Sequence, residues 1–328
     1  MTRAAAGSRL VRARPDNDPG YRRRRSGSGF SYTDAHGRAV SDADLERIRA
    51  LAIPPAWQDV WIAKDPRAHI QAVGVDAAGR RQYLYHPQWR QRRDRRKFRR
   101  AMALAAALPG ARARVTRALA QDGAPDRERV LAAAFRLLDD VAPRVGSPRY
   151  LARHGSRGLT TLRCRDARID GATTVLAFPA KSGRRMHLEV EDPALSAVLA
   201  DLVEGARPSA PLLAYRRGRR RVAVTAREVN EHVRALTGTA FTAKDFRTLR
   251  GTIAAANALA AAGATGDAAQ RRRAERDAVE AAAAALGNTA AVARASYIDP
   301  RVFRRYAQGR CLDTTITPES AIRQLLGE

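Results

Sequence analysis

Cysteine and long apolar runs are almost missing from this 328-residue sequence. Its two cysteines, Cys164 and Cys311, stand far apart, which excludes a disulfide framework and a zinc site built from cysteines. No stretch of 18 apolar residues occurs, so we expect no membrane-spanning helix. The Arg-rich residues 1–27 contain no apolar stretch of the signal-peptide type, so we do not expect secretion. These absences favour a soluble, cytoplasmic protein.

The motifs of ATP hydrolysis and of metal catalysis are missing as well. The sequence has no G-x-x-x-x-G-K-[ST] phosphate loop. Its carboxylates do not cluster as a two-metal nuclease requires, since the adjacent Asp139 and Asp140 point apart on a helix. The six histidines show no metal-ligand spacing. We therefore expect no metal site and no cofactor.

Acidic residues are too few to balance the basic ones. The chain has 60 Lys and Arg against 33 Asp and Glu, a net charge of +27. Such an excess predicts a polyanionic partner, with nucleic acid favoured over an anionic membrane surface. The preference for arginine and alanine is typical of a GC-rich, bacterial coding sequence.

Lysine is scarce among these cations, with only four in the chain. An ammonium can release a proton near neutral pH when its pKa is lowered, whereas a guanidinium essentially cannot. Each lysine is therefore a candidate for a role that arginine cannot fill, although chance retention explains four lysines equally well. They are Lys64, Lys97, Lys181 and Lys244.

The sequence pattern divides the chain into three parts and predicts the α+β class. Residues 1–27 are typical of a disordered basic arm, which either adds phosphate contacts or is a solvated tail. Residues 28–93 predict a small, mostly β domain, and residues 94–328 predict a larger, mainly helical domain with a β-hairpin insert.

The elements of these domains are predicted from periodicity and from turn residues. In the smaller domain, a capping box at Ser41 begins a short helix, and strands are expected at 59–63, 69–75 and 81–86. In the larger domain, Pro109 is expected to separate two helices. The helices predicted there cover residues 94–107, 111–121, 125–141, 193–204, 225–236, 243–262, 267–286, 289–296 and 318–326, and the strands lie near 159–165, 174–180 and 185–190.

Several residues of the second half can support phosphate chemistry. Taken singly, each is most simply a surface or packing residue, so only the ordered set is informative. Lys244 and Arg247 lie three residues apart and so share one helical face. The set comprises Arg144, Lys181, Lys244, Arg247, Asn288 and Tyr297.

The segment GRRQYLY, residues 79–85, is the most informative part of the smaller domain. Strand alternation places Tyr83 and Tyr85 on one face. Gln82 can read a base edge, and the tyrosines can stack on bases or contact phosphate and sugar. Two tyrosines that cover a small β core are an equal alternative.

The order of Arg144, Lys181, Arg247, Asn288 and Tyr297 resembles the active sites of type IB DNA topoisomerases and of the related tyrosine recombinases. With GRRQYLY, GLTTLR at 158–163, KDFRT and RASY, the chain is similar to the compact poxvirus-like and bacterial type IB enzymes over about residues 30–310. This resemblance implies a bilobed, C-shaped clamp round double-stranded DNA, with one chain acting as a monomer.

The resemblance also implies an activity that uses neither ATP nor a metal ion. The enzyme would nick one strand through a 3′-phosphotyrosyl intermediate, relax positive and negative supercoils by strand rotation, and religate the nick. Tyr297 would be the nucleophile, Arg144 and Arg247 would neutralise the phosphate, and Lys181 would protonate the leaving 5′-oxygen.

The remaining site residues take supporting roles by the same resemblance. Lys244 would contact the phosphate or relay a proton, and Tyr150 would contact the DNA backbone. Asn288 stands where viral and eukaryotic members carry His and where bacterial members carry Asn. Its amide can hydrogen-bond a phosphate oxygen but cannot serve as a general acid.

Two other functions remain open for the sequence. A site-specific tyrosine recombinase would use the same chemistry, but Lys244, where recombinases tend to have His, and the GRRQYLY segment favour the topoisomerase. An architectural DNA-binding protein could keep the fold without catalysis, although nothing at the five key positions indicates decay. For the topoisomerase we expect a cytoplasmic protein that is associated with the nucleoid.

Overall fold

A computed structural model describes residues 9–238 and 241–327 of the chain, apart from the side chain of Ser182. The chain divides into two compact units, one that ends at Arg96 and one that begins at Lys97. The division falls within a long helix, close to the boundary expected near residue 93. In the part of the chain that the structure describes, no helix is long and apolar enough to cross a membrane.

The first unit is an antiparallel sheet of five strands in the order β2-β1-β3-β4-β5. One helix, α1, packs on one face of it, where Ile48 contacts a cluster formed by Val60, Ile62 and Ala72. The opposite face carries a second cluster around Trp61. The elements are β1 Gly20–Ser26, β2 Gly29–Thr33, α1 Asp42–Ala50, β3 Gln58–Ala63, β4 Ile70–Val75 and β5 Arg81–Tyr85.

The prediction of a disordered arm over residues 1–27 is wrong for the arginine run at 22–25, which lies in β1. Alternation along the strand explains how this run is accommodated. Tyr21 packs against the α1 cluster, and the guanidinium of Arg23 donates to the carbonyl of Pro54 at 3.1 Å. Residues 1–8 of the predicted arm lie outside the described residues.

The second unit is mainly helical, and α3 and α7 are its most buried helices. A three-stranded antiparallel sheet, in the order β6-β7-β8, and a two-stranded hairpin accompany the helices. The helices are α2 Pro87–Leu119, which spans the division between the units, α3 Arg127–Val141, α4 Pro148–His154, α5 Pro193–Val203, α6 Ala226–Thr237, α7 Ala243–Ala262, α8 Ala268–Leu286, α9 Ala290–Ser296, α10 Pro300–Ala307 and α11 Pro318–Leu326. The strands are β6 Ala167–Asp170, β7 Thr173–Pro179, β8 Arg185–Glu191, β9 Ala214–Arg217 and β10 Arg220–Ala223.

Two predictions for this unit are wrong. Pro109 lies inside the continuous helix α2, because burial of neighbours such as Leu108 and Ala111 outweighs a proline cost of about 3 kcal/mol. The strand predicted near 159–165 is replaced by two 3-10 helical turns. There the Thr161 hydroxyl donates to the Gly158 carbonyl at 3.0 Å, and such side-chain contacts compete with strand pairing.

Two adjacent carboxylates at the end of α3 have different surroundings. Asp139 accepts hydrogen bonds from Arg112, at 2.7 Å from Nε and 3.0 Å from Nη2. Burial raises the pKa of the Asp140 carboxyl to about 6, and repulsion from Asp139 adds to this effect. Between about pH 4 and pH 6 the folded chain therefore holds a proton here that the unfolded chain has lost.

Replacing Asp140 should consequently stabilise the protein at neutral pH. Burial raises the pKa of the Asp140 carboxyl in the folded protein. Ionisation of this carboxyl therefore lowers the free energy of unfolding as pH rises from about 4 to 6. We expect Asp140→Asn to raise the free energy of unfolding by about 1–3 kcal/mol at pH 7.5, with a smaller gain toward pH 4. Urea unfolding at several pH values measures this difference. Asp139→Asn is the matched control and should destabilise, since it removes a partner of Arg112; a gain for Asp140→Asn that does not depend on pH would contradict the expectation.

Candidate active site

One cavity of the second unit, with a volume of about 410 Å³, collects the candidate residues of the second half. They come from the α3–α4 connection, α4, the turn between β7 and β8, α7, and the end of α9. All but one of the candidates predicted there line this cavity, and the exception, Asn288, bonds to a lining residue. The candidates on its wall are Arg144, Tyr150, Lys181, Lys244, Arg247 and Tyr297.

The backbone of Arg144 is braced by the segment that begins the GLTTLR motif. The N–H of Leu159 donates to the Arg144 carbonyl at 2.8 Å, and the N–H of Thr160 donates to the Val145 carbonyl at 2.9 Å. A Cβ at Gly158 would clash with the Arg144 carbonyl, so the approach requires glycine. The motif therefore positions the loop that carries Arg144.

Arg247 is buried and links two helix ends. Its Nη1 donates to the carbonyl of Ala142 at 2.7 Å, and its Nη2 donates to the carbonyl of Leu286 at 2.8 Å. Ala142 ends α3 in the left-handed region, with φ of 41°, which turns the chain toward Arg144. Burial lowers the pKa of Arg247, and the nearby charge of Arg144 adds to this effect. Arg247 is thus a structural residue as well as a cation of the cavity wall.

The backbone at Tyr297 is held against α7 by two residues that sequence reasoning missed. The hydroxyl of Thr252 lies 3.1 Å from the Tyr297 carbonyl and accepts a bond from the N–H of Asp299 at 3.2 Å. A Cβ at Gly251 would lie only 3.0 Å from both the Cβ and the carbonyl oxygen of Tyr297. The glycine in the sequence RGT is only a weak signal of this close contact, because glycine occurs in proteins for many other reasons.

The phenol of Tyr297 is buried beside several cations. Tyr297 is only 8% exposed, and the guanidinium carbon of Arg247 lies 5.1 Å from the centroid of its ring. Burial raises the pKa of this phenol, but Arg247, Arg144 and Lys244 together outweigh burial and lower the pKa below its ordinary value. The surroundings therefore favour the phenolate.

Asn288 contacts the cavity through Arg144. Its Oδ1 accepts a hydrogen bond from Arg144 Nη2, and its backbone carbonyl accepts one from Arg184 at 2.9 Å. Its Nδ2 is buried and has no hydrogen-bond partner among the described residues. The amide therefore orients one cation and retains a donor.

Two lysines of the cavity are exposed. Lys181 lies in a 3-10 turn between β7 and β8, where a hairpin turn was predicted, and its Nζ is 5.8 Å from the ring centroid of Tyr150. Lys244 lies in the first turn of α7. Arg157 also lines the cavity and was missed, and it forms a 2.7 Å ion pair with Asp166.

The candidates of the first unit lie in β5, at the edge of the sheet. The rings of Tyr83 and Tyr85 stack with centroids 5.9 Å apart and planes inclined by 15°, so both lie on one face. Gln82 uses its Nε2 to donate to Asp76 at 2.8 Å. The amide of Gln82 is therefore engaged in the turn before its own strand.

Across residues 9–238 and 241–327, no three His, Cys, Asp or Glu side chains are grouped closely enough to hold a metal ion.

Comparison with known proteins connects both units to DNA-acting enzymes. The model of the catalytic core of eukaryotic DNA topoisomerase I matches residues 86–310, and the model of the N-terminal domain of bacterial DNA topoisomerase IB matches residues 29–76. The DNA topoisomerase 1B of Acanthamoeba polyphaga mimivirus is 31% identical over 236 residues, which cover 70% of this chain and 69% of the relative. These matches define the class of the protein, a DNA topoisomerase. The chain belongs to the type IB family of these enzymes.

The exposed Lys244 offers a direct test of the field at Tyr297. Because its cation helps to lower the pKa of the phenol, Lys244→Gln should raise that pKa. Tyrosinate absorbance, taken as the difference between each protein and its Tyr297→Phe counterpart, isolates this group. Arg272→Gln on α8 removes an equal charge from an exposed site outside the cavity wall and should leave the titration unchanged. Equal effects of both substitutions would show that only net charge matters.

Proposed function

We propose that this enzyme cleaves one strand of duplex DNA through a 3′-phosphotyrosyl intermediate, lets supercoils of either sign relax by strand rotation, and religates the nick. It does so with neither ATP nor a metal ion. The observation that carries the proposal is the meeting of Arg144, Lys181, Arg247 and Tyr297 at one cavity. Alternative recombinase activity is less favoured, because the N-terminal match is to bacterial topoisomerase IB.

Tyr297 supplies the nucleophile in this proposal. Its oxygen attacks the phosphorus, and the bond between phosphorus and the deoxyribose 5′-oxygen breaks. A phenol with a pKa of about 10 is almost wholly protonated at neutral pH, so it needs activation. The cations that lower the pKa of Tyr297 provide it by stabilising the phenolate as the proton leaves to solvent.

Arg144 and Arg247 stabilise the charge that develops on the phosphate. Each terminal nitrogen of a guanidinium carries two N–H groups, so Arg247 retains donors beyond the two that bind carbonyls. Fixed donors aimed at a developing negative charge are worth about 2.7–4 kcal/mol each in comparable sites. Asn288 contributes by orienting Arg144 and by contacting a phosphate oxygen.

Lys181 protonates the leaving 5′-oxygen, which is a strong base without that proton. An ammonium can do this and a guanidinium cannot, and the chain retains lysine here among many arginines. Tyr150 lies within cation–π distance of Lys181 and supports its position in the cavity. Lys244 assists as a second cation.

The phosphotyrosyl link conserves the energy of the broken phosphodiester. The freed 5′-hydroxyl can therefore attack the phosphorus, release Tyr297 and restore the strand without an external energy source. In the first unit, Tyr83 and Tyr85 contact the duplex from one face of β5, and a base contact by the Nε2 of Gln82 requires that atom to leave Asp76. A single chain supplies every group named, which supports a monomer, and the C-shaped clamp stays a prediction.

Removal of one oxygen atom tests the nucleophile. Tyr297→Phe should abolish plasmid relaxation and the covalent adduct while leaving DNA affinity near normal, because only the attacking atom is lost. The assay contains EDTA and no ATP, and denaturant traps the adduct. Tyr215→Phe, in β9 and outside the cavity wall, is the control and should retain activity. Relaxation by Tyr297→Phe would assign the nucleophile to another residue, and loss of native activity in EDTA would contradict metal independence.

A leaving group that needs no proton tests the role of Lys181. Lys181→Ala should slow single-turnover cleavage by about 10²–10⁴-fold, the usual contribution of a general acid. A substrate with sulfur in place of the 5′-oxygen should restore most of the rate, since a thiolate leaves without protonation. Lys181→Arg should remain slow on the oxygen substrate because it keeps the charge but cannot give up the proton. Failure of sulfur to rescue Lys181→Ala would remove Lys181 from this role.

A further inference from the structure

The sheet of the first unit has a continuous row of paired residues on the face opposite α1. Arg22 of β1 pairs with Trp61 of β3, Trp61 pairs with Val73 of β4, and Val73 pairs with Tyr83 of β5. Residues directly opposed in antiparallel strands place their side chains on the same face. Arg22, and by the period of two also Arg24, therefore share the face of the tyrosine pair.

Residues 11–18 cross the middle of this face along a fixed path. The Val11 carbonyl accepts the N–H of His69 at 2.8 Å, and the N–H of Ala13 donates to Nδ1 of His69 at 3.0 Å. The indole N–H of Trp61 donates to the Asp18 carbonyl at 3.1 Å. Ala13 also packs against the apolar cluster around Trp61. This segment is therefore part of the sheet's surface.

Four arginines of this surface are exposed. Arg12 and Arg14, on either side of Ala13 in the crossing segment, are exposed to solvent. Arg22 and Arg24 are exposed on β1. Within residues 9–238 and 241–327, no carboxylate forms an ion pair with any of these four guanidiniums.

The two guanidiniums nearest the tyrosines, those of Arg81 and Arg93, differ from these four because they contact the tyrosine rings. Asp16 forms an ion pair with Arg81 at 2.6 Å, so the crossing segment neutralises this residue. The guanidinium carbon of Arg81 lies 5.6 Å from the ring centroid of Tyr83, and that of Arg93 lies 5.2 Å from the ring centroid of Tyr85. These contacts place the two guanidiniums against the tyrosine rings.

We propose that Arg12, Arg14, Arg22 and Arg24 form a phosphate-binding surface that extends the duplex contact of Tyr83 and Tyr85. The inference rests on the proposed function, because it takes the tyrosine face as a DNA contact. β1 and β5 are three strand spacings apart, about 14 Å, which matches the axial rise of roughly four base pairs. Guanidiniums that form no ion pair, on the same face of the sheet as stacked aromatic rings, suit a polyanion with sugars and bases between its charges.

Salt dependence of DNA binding tests this surface. Each arginine that neutralises a phosphate contributes about −0.9 to the slope of log K against log salt concentration. We expect the double variants Arg12→Gln/Arg14→Gln and Arg22→Gln/Arg24→Gln each to reduce the magnitude of that slope by about 1–2. Binding of the full-length protein to a linear duplex is measured over a range of salt concentrations, and thermal unfolding confirms that each variant folds.

The control removes the same charge from the other side of the sheet. Arg25 follows Arg24 in β1 and so points to the α1 face, and Arg49 is exposed on α1. The variant Arg25→Gln/Arg49→Gln should keep the native slope. If it changes the slope as much as the two test variants do, or if neither test variant changes the slope, the proposal is wrong.

Failure of the surface and failure of the proposed function give different results. At saturating DNA, the arginine variants should form the Tyr297 adduct at the native rate, because they act on binding alone. A native protein that forms no adduct would overturn the proposed function, while the salt slopes would still decide whether this face binds DNA.

Discussion

The guanidinium of Arg247 joins parts of the chain that the sequence separates widely. It binds the carbonyl that ends α3, 105 residues away, and the carbonyl that ends α8, 39 residues away. The α3 end leads into Arg144, and the α8 end leads into Asn288 and then Tyr297. A buried charge is stable only when hydrogen bonds replace its water, and here two helix termini supply those bonds. Arg247 therefore faces the phenol of Tyr297 and also holds together the chain segments that carry Arg144, Asn288 and Tyr297.

Burial and nearby positive charge act in opposite directions on the pKa of Tyr297. A phenol removed from water resists ionisation, whereas three nearby cations favour it, and the cations prevail at Tyr297. Arg144 is in turn oriented by the Asn288 amide, which is neutral and so does not weaken the field. Lys181 and Lys244 differ from the arginines because they are exposed at the mouth of the cavity. The two arginines of the site are thus held by hydrogen bonds, whereas the two lysines are exposed to solvent.

Local patterns predicted the elements whose signals lie within a few residues of each other. The helices at 243–262 and 318–326 have the predicted bounds, because caps and apolar spacing agree there. The resemblance of the ordered set to type IB enzymes predicted that Arg144, Lys181, Arg247 and Tyr297 lie close together, and all four line one cavity. Two of the errors arose where distant contacts decide the structure: β1 pairs with β3, about 40 residues further along the chain, and α2 continues through Pro109 because its neighbours are buried. The third error, the strand expected near 159–165, arose from the local contact between Thr161 and Gly158. Gly251 and Thr252 could not be found, since their significance depends on a segment 45 residues away from Thr252.

Glycine has an unusual importance in this active site for a residue without a side chain. Gly158 admits the carbonyl of Arg144 at a distance that a methyl group would prevent, and a methyl group at Gly251 would crowd the backbone and Cβ of Tyr297. A genetic screen for inactive alleles would therefore recover both positions together with the charged groups, although neither glycine acts on DNA. Loss of activity on replacement at this site therefore reflects how closely the backbone segments pack, as well as the chemistry of the side chains.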